Sequence, residues 1–461
     1  MTERESYRGL AWIAAMALFM QTLDATILNT ALPAISRDLN ESPLEMQLAI
    51  ISYALSVALF IPLSGWLADK YGTLKIFRIA VSIFVIGSVA CAISNTLDTL
   101  VLARVLQGFG GALMMPVARL AIIRTVPKQH LLSVWNLMAM SGLLGPILGP
   151  ILGGWLVTYA TWHWIFLINI PIGIIGVLIA GNYMQNVTAE VNKLDWKGFM
   201  LFAGSLVGLT LGLDLIAERS SHKGIAFSVL MLGLLLLCAY YFHAKKSPIS
   251  LLPLSLFKIR TFTISIVANL FIRLCGSGIP FLLPLMLQVV FHYSAELSGW
   301  LLAPIAISSV LMKPLISPIL HRLGYKTTLL LTAICLTLAI AVMALVTVDT
   351  PIWLLVLALA FYGACMSVIF SATNTLAVSE LSEQNASAGS TILSVAQQMG
   401  IGIGIAVCSV ILGIYRDHIG EVGEQLQQSF SYTFLSVACF GFILIWVLTY
   451  LKAQDGQSLR R

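Results

Sequence analysis

The stretch GLLGPILGPILGGW, residues 142–155, lies within an apolar run that extends from about 133 to 157. Its glycines recur at every fourth residue, at Gly145, Gly149 and Gly153. This spacing places them on one face of a helix, where a neighbouring helix can pack or slide closely. Pro146 and Pro150 each remove a backbone hydrogen-bond donor, so we expect the helix to be bent or locally loosened. The stretch therefore predicts a membrane-spanning helix with a close neighbour.

The whole chain shares this apolar character. Its 461 residues are 59% hydrophobic and 10% charged, and the mean hydropathy is +0.93, whereas soluble proteins carry about 25% charged residues. The apolar residues fall in runs of about 20, enough to cross roughly 30 Å of hydrocarbon as helices. We predict an all-α integral membrane protein of about fourteen spans, at 9–31, 45–67, 76–96, 99–121, 133–157, 163–182, 198–216, 225–243, 262–289, 297–319, 327–347, 352–376, 389–413 and 430–451.

The distribution of lysine and arginine predicts the orientation of the chain. With the N-terminus inside, the outer loops hold only four basic residues: Arg37, Arg219, Lys223 and Arg416. Most of the others fall in cytoplasmic loops, as the positive-inside rule requires. Both termini are then cytoplasmic, and we expect a multi-pass protein of the bacterial cytoplasmic (inner) membrane. The net charge of +6 is spread over short loops and forms no patch for nucleic acid.

Two similar segments indicate an internal repeat. GWLADKYGTLK (65–75) follows the second span and SPILHRLGYKT (317–327) follows the tenth. Aligning their glycines, Gly72 and Gly324, pairs two basic residues, and parallel repeats of this kind are typical of secondary transporters. We predict an N-terminal six-helix bundle (1–182), a linker with two additional transmembrane helices (183–260) and a C-terminal six-helix bundle (261–461).

The segment GWLADKYG is a candidate conformational switch. Gly65 would let the second span approach a neighbour, and Gly72 permits a tight turn. Asp69 and Lys70 place opposite charges at the membrane edge, where a carboxylate can interact with a helix N-terminus and favour one conformation. The alternative is an ordinary polar turn.

Charged residues inside spans are the candidate coupling groups, because such residues are costly and usually face a cavity or a partner. Asp24 lies in the first span and shares a helical face with Gln21, while Asn29 lies on another face. Arg104 lies in the fourth span. Burial raises the pKa of a carboxyl group, so a buried aspartate can bind and release a proton. The alternatives are that Asp24 only pairs with a buried base and that Arg104 only reaches the outer interface.

Several segments together resemble one family: LDATILNTALP (23–33), GWLADKYG (65–72), GPILGPILGG (145–154), WHWIFLINIPIG (162–173) and the arginine motif around Arg104. The chain is similar to the drug:proton antiporters with fourteen spanners, within the major facilitator superfamily. The resemblance implies a fold of two six-helix bundles with two extra helices. It also implies that Asp24 is a proton or substrate site, that Arg104 takes part in proton coupling, and that antiport involves the fifth-span residues Gly145, Gly149, Pro150, Gly153 and Gly154.

The chain departs from that family in ways that bear on its substrate. Thr73 stands where the family often has a basic residue, and Arg273 and Lys313 add positive charge to the ninth and tenth spans. These two residues are candidate anion-binding groups. They leave open an exporter of an anionic metabolite or metal chelate, of the carboxylate or siderophore type, on the same fold.

The sequence favours a proton-coupled antiporter that exports small molecules or drugs by alternating access. Its expected partners are a small-molecule substrate, protons and the lipid bilayer, with no nucleic acid, no cofactor and no metal, and a monomer is the expected state. A uniporter or importer on the same fold is the nearest alternative. A membrane enzyme is disfavoured because the histidines are scattered and no H-E-x-x-H or P-loop motif occurs. A sensor is disfavoured because no segment is long enough to form a cytoplasmic output domain.

Overall fold

The computed structural model describes residues 3–43, 46–126, 128–190, 193–217, 223–247, 250–381, 383–420 and 422–456, and Arg219 lies outside them. These residues form helices and connecting turns without a strand among them. The helices are α1 (Glu3–Leu39), α2 (Gln47–Tyr71), α3 (Thr73–Ala92), α4 (Leu97–Thr125), α5 (Lys128–Tyr159), α6 (Trp164–Leu167), α7 (Asn169–Tyr183), α8 (Trp196–Ala217), α9 (Lys223–Lys246), α10 (Arg260–Gly276), α11 (Gly278–Leu285), α12 (Ala295–Leu323), α13 (Tyr325–Val342), α14 (Ile352–Val378), α15 (Glu383–Ile419) and α16 (Gly423–Thr449).

The prediction of an all-α membrane fold with about fourteen spans is confirmed. Among the described residues, thirteen helical stretches are long and apolar enough to cross a membrane, and α5 contributes a shorter apolar one, Leu144–Tyr159. The short α6 and α7 together form one of these stretches. Another joins α10 and α11 to the π-helical turn Met286–Val290.

The backbone divides into two compact units. The first comprises residues 1–194 together with 294–300, the beginning of α12, and the second comprises 195–293 and 301–461. The additional helices α8 and α9 belong to the second unit, where α8 packs against α15. The finer division at 182 and 260 stays a prediction.

Small residues allow α8 and α9 to form a close hairpin. Gly208 of α8 lies against the backbone of Gly233 of α9, so that an added Cβ at Gly208 would be 2.8 Å from the Cα of Gly233. Gly212 lies against Leu230 in the same way. A glycine seam of this kind permits tight packing of helices in lipid, where burial of apolar surface does not drive association.

Two turns of the same shape begin α3 and α13. Gly72 has φ +98° and Gly324 has φ +80°, a region that favours glycine. The amide of Gly72 donates to the carbonyl of Ala68 at 2.8 Å, and the amide of Gly324 donates to that of Leu320 at 2.9 Å. The turns aligned in sequence thus share both backbone conformation and hydrogen bonding.

Candidate functional site

Asp24 of α1 and Arg104 of α4 form a buried ion pair in the first unit. Arg104 Nη1 lies 2.6 Å from Asp24 Oδ2, and each side chain is at most 1% exposed. Arg104 Nε also donates to the backbone carbonyl of Ala49 at 2.9 Å. Isolated charges so deep in a membrane protein would be strongly unfavourable, so each charge depends on the other.

Gln107, one turn after Arg104 on α4, links the two charges. Its Oε1 accepts from Arg104 Nη1 at 2.6 Å, and its Nε2 donates to Asp24 Oδ1 at 2.8 Å. The same Nε2 donates to Ser88 Oγ of α3 at 2.9 Å, and Asn169 Nδ2 of α7 lies 3.4 Å from Asp24 Oδ1. Four helices therefore contribute side chains to one hydrogen-bonded cluster, which we call the charge cluster: Asp24, Ser88, Arg104, Gln107 and Asn169.

Aromatic rings enclose the guanidinium of Arg104. Its Cζ lies 4.3 Å from the ring centroid of Tyr53 and 5.9 Å from that of Phe166. Cation–π contacts of this kind become stronger where water is excluded. The surroundings therefore stabilise the charged arginine, and a proton arriving at Asp24 would remove the carboxylate that balances it.

Gln21 and Asn29, the other predicted coupling residues, lie outside the charge cluster. Gln21 is half-buried and Asn29 is 8% exposed. Neither makes a hydrogen bond to a member of the cluster among the described residues. The structure thus joins Asp24 and Arg104 but not Gln21 and Asn29.

The turn between α2 and α3 holds the predicted switch residues. Asp69 Oδ1 lies 2.7 Å from Arg124 Nη2 at the end of α4, and Lys70 Nζ lies 4.6 Å from the ring centroid of Trp66. Asp69 and Arg124 are about a quarter exposed, so their pair contributes at most about 1 kcal/mol. At Gly65, an added Cβ would meet no described atom within 4 Å. The prediction that a neighbouring helix approaches closely at Gly65 is therefore wrong for the described residues in this conformation.

A short segment after α7, residues 184–189, is hydrogen-bonded to this turn, and we call it the strap. The hydroxyl of Thr73 donates to the carbonyl of Gln185 at 2.8 Å and accepts from the amide of Val187 at 3.2 Å. The amide of Ala189 donates to the carbonyl of Asp69 at 2.9 Å. Thr73, where the sequence departs from the family pattern, therefore has a structural partner in this chain.

The glycine face of α5 lies against α1. An added Cβ at Gly145 would collide with the hydroxyl of Thr22, and one at Gly149 would collide with that of Thr26. Thr26 Oγ1 also donates to the carbonyl of Gly145 at 3.2 Å. The threonines recur every fourth residue and match the glycine spacing.

The outer part of α5 has two neighbours. Gly153 lies against Ile27 and Thr30 of α1, and Thr30 Oγ1 lies 3.3 Å from the carbonyl of Pro150. Gly154 faces the other way, where an added Cβ would collide with the carbonyl of Ala295 in the same unit. The fifth-span residues thus form packing surfaces on two sides of the helix.

Arg273 and Lys313, the candidate anion-binding residues, lie in the second unit and both contact α14. Arg273 Cζ is 4.3 Å from the ring centroid of Phe370. Lys313 Nζ donates to Ser371 Oγ at 2.9 Å. The two cations therefore contact adjacent residues of one helix, Phe370 and Ser371.

Sequence reasoning missed three members of the charge cluster as site residues: Ser88, Gln107 and Asn169. Gln107 follows Arg104 by three residues and so shares its helical face. Asn169 is a strong hydrogen-bonding group within the apolar segment WHWIFLINIPIG. A search for polar residues within spans could have found these two, whereas Ser88 carries too weak a signal to stand out.

Solved structures share this fold at low sequence identity. A D-xylose–proton symporter aligns with a TM-score of 0.70 and 12% identity, covering 97% of this chain and 98% of its own. A bacterial homologue of the human lysosomal transporter Spinster aligns with a TM-score of 0.68 and 15% identity, covering 97% of both chains. At such identities the likeness concerns the fold alone.

Sequence relatives cover nearly the whole chain. "Probable transport protein HsrA" of Haemophilus influenzae is 58% identical over 460 residues, which are 100% of this chain and 99% of the relative. "Putative multidrug resistance protein MdtD" of Escherichia coli O6:H1 is 39% identical over 445 residues, 94% of this chain and 92% of the relative. The family model of the Major Facilitator Superfamily matches residues 14–405. The chain is therefore a membrane transporter, not an enzyme, and it belongs to the Major Facilitator Superfamily.

Proposed function

We propose that the protein is a proton-coupled antiporter that exports small molecules from the cytoplasm by alternating access. The observation that carries this proposal is the charge cluster, in which the Asp24 carboxylate is held between Arg104 and Gln107. A proton-driven carrier needs a group whose charge changes with proton binding and whose charge state alters helix contacts. Asp24 meets both requirements, because a carboxylate can bind a proton and because its partners Arg104, Gln107 and Asn169 lie on two other helices, α4 and α7.

The proposed coupling step is the protonation of Asp24. A neutral Asp24 no longer balances Arg104, so the Asp24–Arg104 and Asp24–Gln107 contacts weaken together. The guanidinium then turns to its other partners, the carbonyl of Ala49 and the ring of Tyr53. This shifts α1 relative to α4. Because α1 also packs along α5, a shift of α1 reaches the fifth span directly.

Export, rather than import, is supported by the relative named for multidrug resistance and by the resemblance of the fifth span to antiporters. The proposed location is the bacterial cytoplasmic membrane, with both termini inside. Gln21 and Asn29 remain proposed substrate contacts, since they lie on α1 outside the charge cluster.

The test uses the full chain in proteoliposomes with an imposed pH gradient, and both a cationic dye, rhodamine 6G, and a carboxylate-bearing dye, calcein, as probes. We expect the wild type to move a dye against its concentration gradient. Asp24→Asn should lose this gradient-driven transport but retain counterflow of dye down its own gradient. Asp38→Asn is the matched control, because Asp38 is a carboxylate of the same helix that instead accepts from Trp162 Nε1 at 2.7 Å.

Two results would contradict the proposal. Gradient-driven transport by a well-folded Asp24→Asn variant would show that Asp24 is not needed for proton coupling. Wild-type transport that ignores the pH gradient would identify a uniporter on the same fold.

A further inference from the structure

The second unit contains two membrane-embedded cations that meet the same turn of α14. Arg273 comes from α10 and Lys313 from α12, and they contact Phe370 and Ser371 respectively. Adjacent residues of a helix differ in height by about 1.5 Å, so the two contacts lie at nearly the same depth. Arg273 is thirteen residues from the start of α10, or about 20 Å along the helix.

These cations lack the carboxylate that Arg104 has. In the part of the chain that the structure describes, no aspartate or glutamate lies within ion-pair distance of Arg273 or Lys313. The Nε of Arg273 is buried without a hydrogen-bond acceptor. Arg104, by contrast, has a carboxylate, an amide oxygen and a backbone carbonyl as acceptors. The second unit therefore carries positive charge that its described residues leave unbalanced.

Polar groups that can donate hydrogen bonds lie on the same face of α14. Asn374 is one turn from Phe370, and its Oδ1 accepts from Gln397 Nε2 of α15 at 3.0 Å. This bond occupies the oxygen of Asn374 and leaves its amide hydrogens available. Arg273 is half-buried rather than enclosed, and its Cβ lies against Gly400, one turn from Gln397. Unbalanced charge and free amide donors within a span are typical of a water-filled substrate cavity rather than a lipid-facing surface.

We propose that Arg273 and Lys313 form a binding subsite for a carboxylate group of the transported molecule. A guanidinium can hold a carboxylate through two parallel hydrogen bonds, and an ammonium adds a point charge. The Asn374 amide supplies a neutral donor beside them, and the ring of Phe370 provides an apolar wall. This subsite adds the chemical class of the substrate to the proposed export function. It rests on that function only because it treats the bound carboxylate as the transported molecule.

The test measures binding without any gradient, so that it is independent of coupling at Asp24. The purified full chain is heated with aliphatic and aromatic mono- and dicarboxylates, each paired with its neutral amide. We expect at least one carboxylate to raise the unfolding temperature while its amide does not. Arg273→Gln and Lys313→Gln should each weaken that binding roughly tenfold or more, which is the effect of losing a charged hydrogen bond. Arg273→Lys and Lys313→Arg should retain most of it.

Lys258→Gln serves as the control, because it removes an exposed lysine that lies before the start of α10, fifteen residues from Arg273. The proposal is overturned if no carboxylate stabilises the wild type, or if the amides stabilise it equally well. It is also overturned if Arg273→Gln lowers the unfolding temperature of the free protein but leaves the affinity for carboxylates unchanged, since Arg273 would then be only a packing partner of Phe370.

Discussion

At the scale of single residues, the charge cluster decides how substitutions at Asp24 are interpreted. Asn at this position removes a titratable group, but it also leaves Arg104 charged and buried without a carboxylate. A loss of transport in Asp24→Asn therefore has two physical origins, a missing proton site and a destabilised fold. Retained counterflow would exclude the second origin, and a variant in which both charges are absent separates the two further.

We predict strong coupling between Asp24 and Arg104 in a double-mutant cycle. Breaking a buried pair by removing one partner costs about 3–5 kcal/mol, because the other charge stays uncompensated. Asp24→Asn and Arg104→Gln should each show a loss of this order in the free energy of unfolding. The double variant should lose much less than the sum, since no unpaired charge remains. Unfolding in detergent measures this, and additive losses would show that the two charges do not interact.

The sequence identifies these charges but not their pairing. Asp24 and Arg104 stand out because charged residues are rare within spans, and their positions on α1 and α4 follow from the span assignment. Their contact depends on how α1 packs against α4, over a separation of 80 residues. Local spacing carries no information about this. Gly65 illustrates the opposite error: a glycine in a helix can mark a close approach to a neighbour, but none of the described residues approaches Gly65 in this conformation.

At the scale of elements, α1 and α5 are matched by two four-residue repeats, glycines on α5 and threonines on α1. The repeat on α5 is visible in the sequence, whereas its partner helix is not, because several spans carry small or hydroxyl residues at this spacing. The structure selects α1, which also carries Asp24. The helix that packs against the glycine face of α5 is therefore the same helix that carries the charged Asp24.

We predict that Gly149→Ala is destabilising while Gly176→Ala is tolerated. A Cβ at Gly149 would collide with Thr26, whereas one at Gly176 of α7 meets no described atom within 4 Å. Overpacking costs about 1–3 kcal/mol. The unfolding temperatures of the two variants provide the comparison, and equal stability would mean that α5 does not pack tightly on α1.

The strap gives a second prediction at this scale. Thr73→Val keeps the shape of the side chain but removes the hydroxyl that bonds Gln185 and Val187. Each lost hydrogen bond weakens the attachment by about 1 kcal/mol. We expect trypsin to cut faster after Lys193, just beyond the strap, than in the wild type. Thr125→Val is the control, because the described hydrogen bond of the Thr125 hydroxyl goes to Ala121 of its own helix. An equal cleavage rate in Thr73→Val and the wild type would show that the strap is held by other contacts.

At the scale of the whole molecule, the aligned turns at Gly72 and Gly324 relate the two units. Both glycines have positive φ, and each amide bonds the carbonyl four residues earlier. The side chains around them have diverged, since Asp69 pairs with Arg124 while the matching position is His321. The repeat and the replacement of Asp69 by His321 were therefore predictable from the sequence, but the ion pair between Asp69 and Arg124 was not.

We predict that Lys258 is cytoplasmic and Asp349 faces the outside. Single cysteines are placed at each position in a background without the seven native cysteines. In intact cells, an impermeant thiol reagent should label Asp349→Cys and spare Lys258→Cys, and permeabilised cells should give labelling at both. The opposite labelling pattern would show that the topology is inverted. Labelling of both sites in intact cells would show that an even number of spans, not the predicted three, separates them.

The strap also marks where the polypeptide can be interrupted. A break between Leu194 and Asp195 leaves the strap as the tail of the first fragment, still bonded to Thr73. The second fragment then begins with Asp195, whose Oδ1 accepts from the amide of Gly198 at 2.8 Å and lies 2.8 Å from His243 Nε2. A break here keeps the described hydrogen bonds of the strap to Thr73 and of Asp195 to the start of α8. We therefore expect the chain to tolerate being encoded as two fragments that are synthesised together.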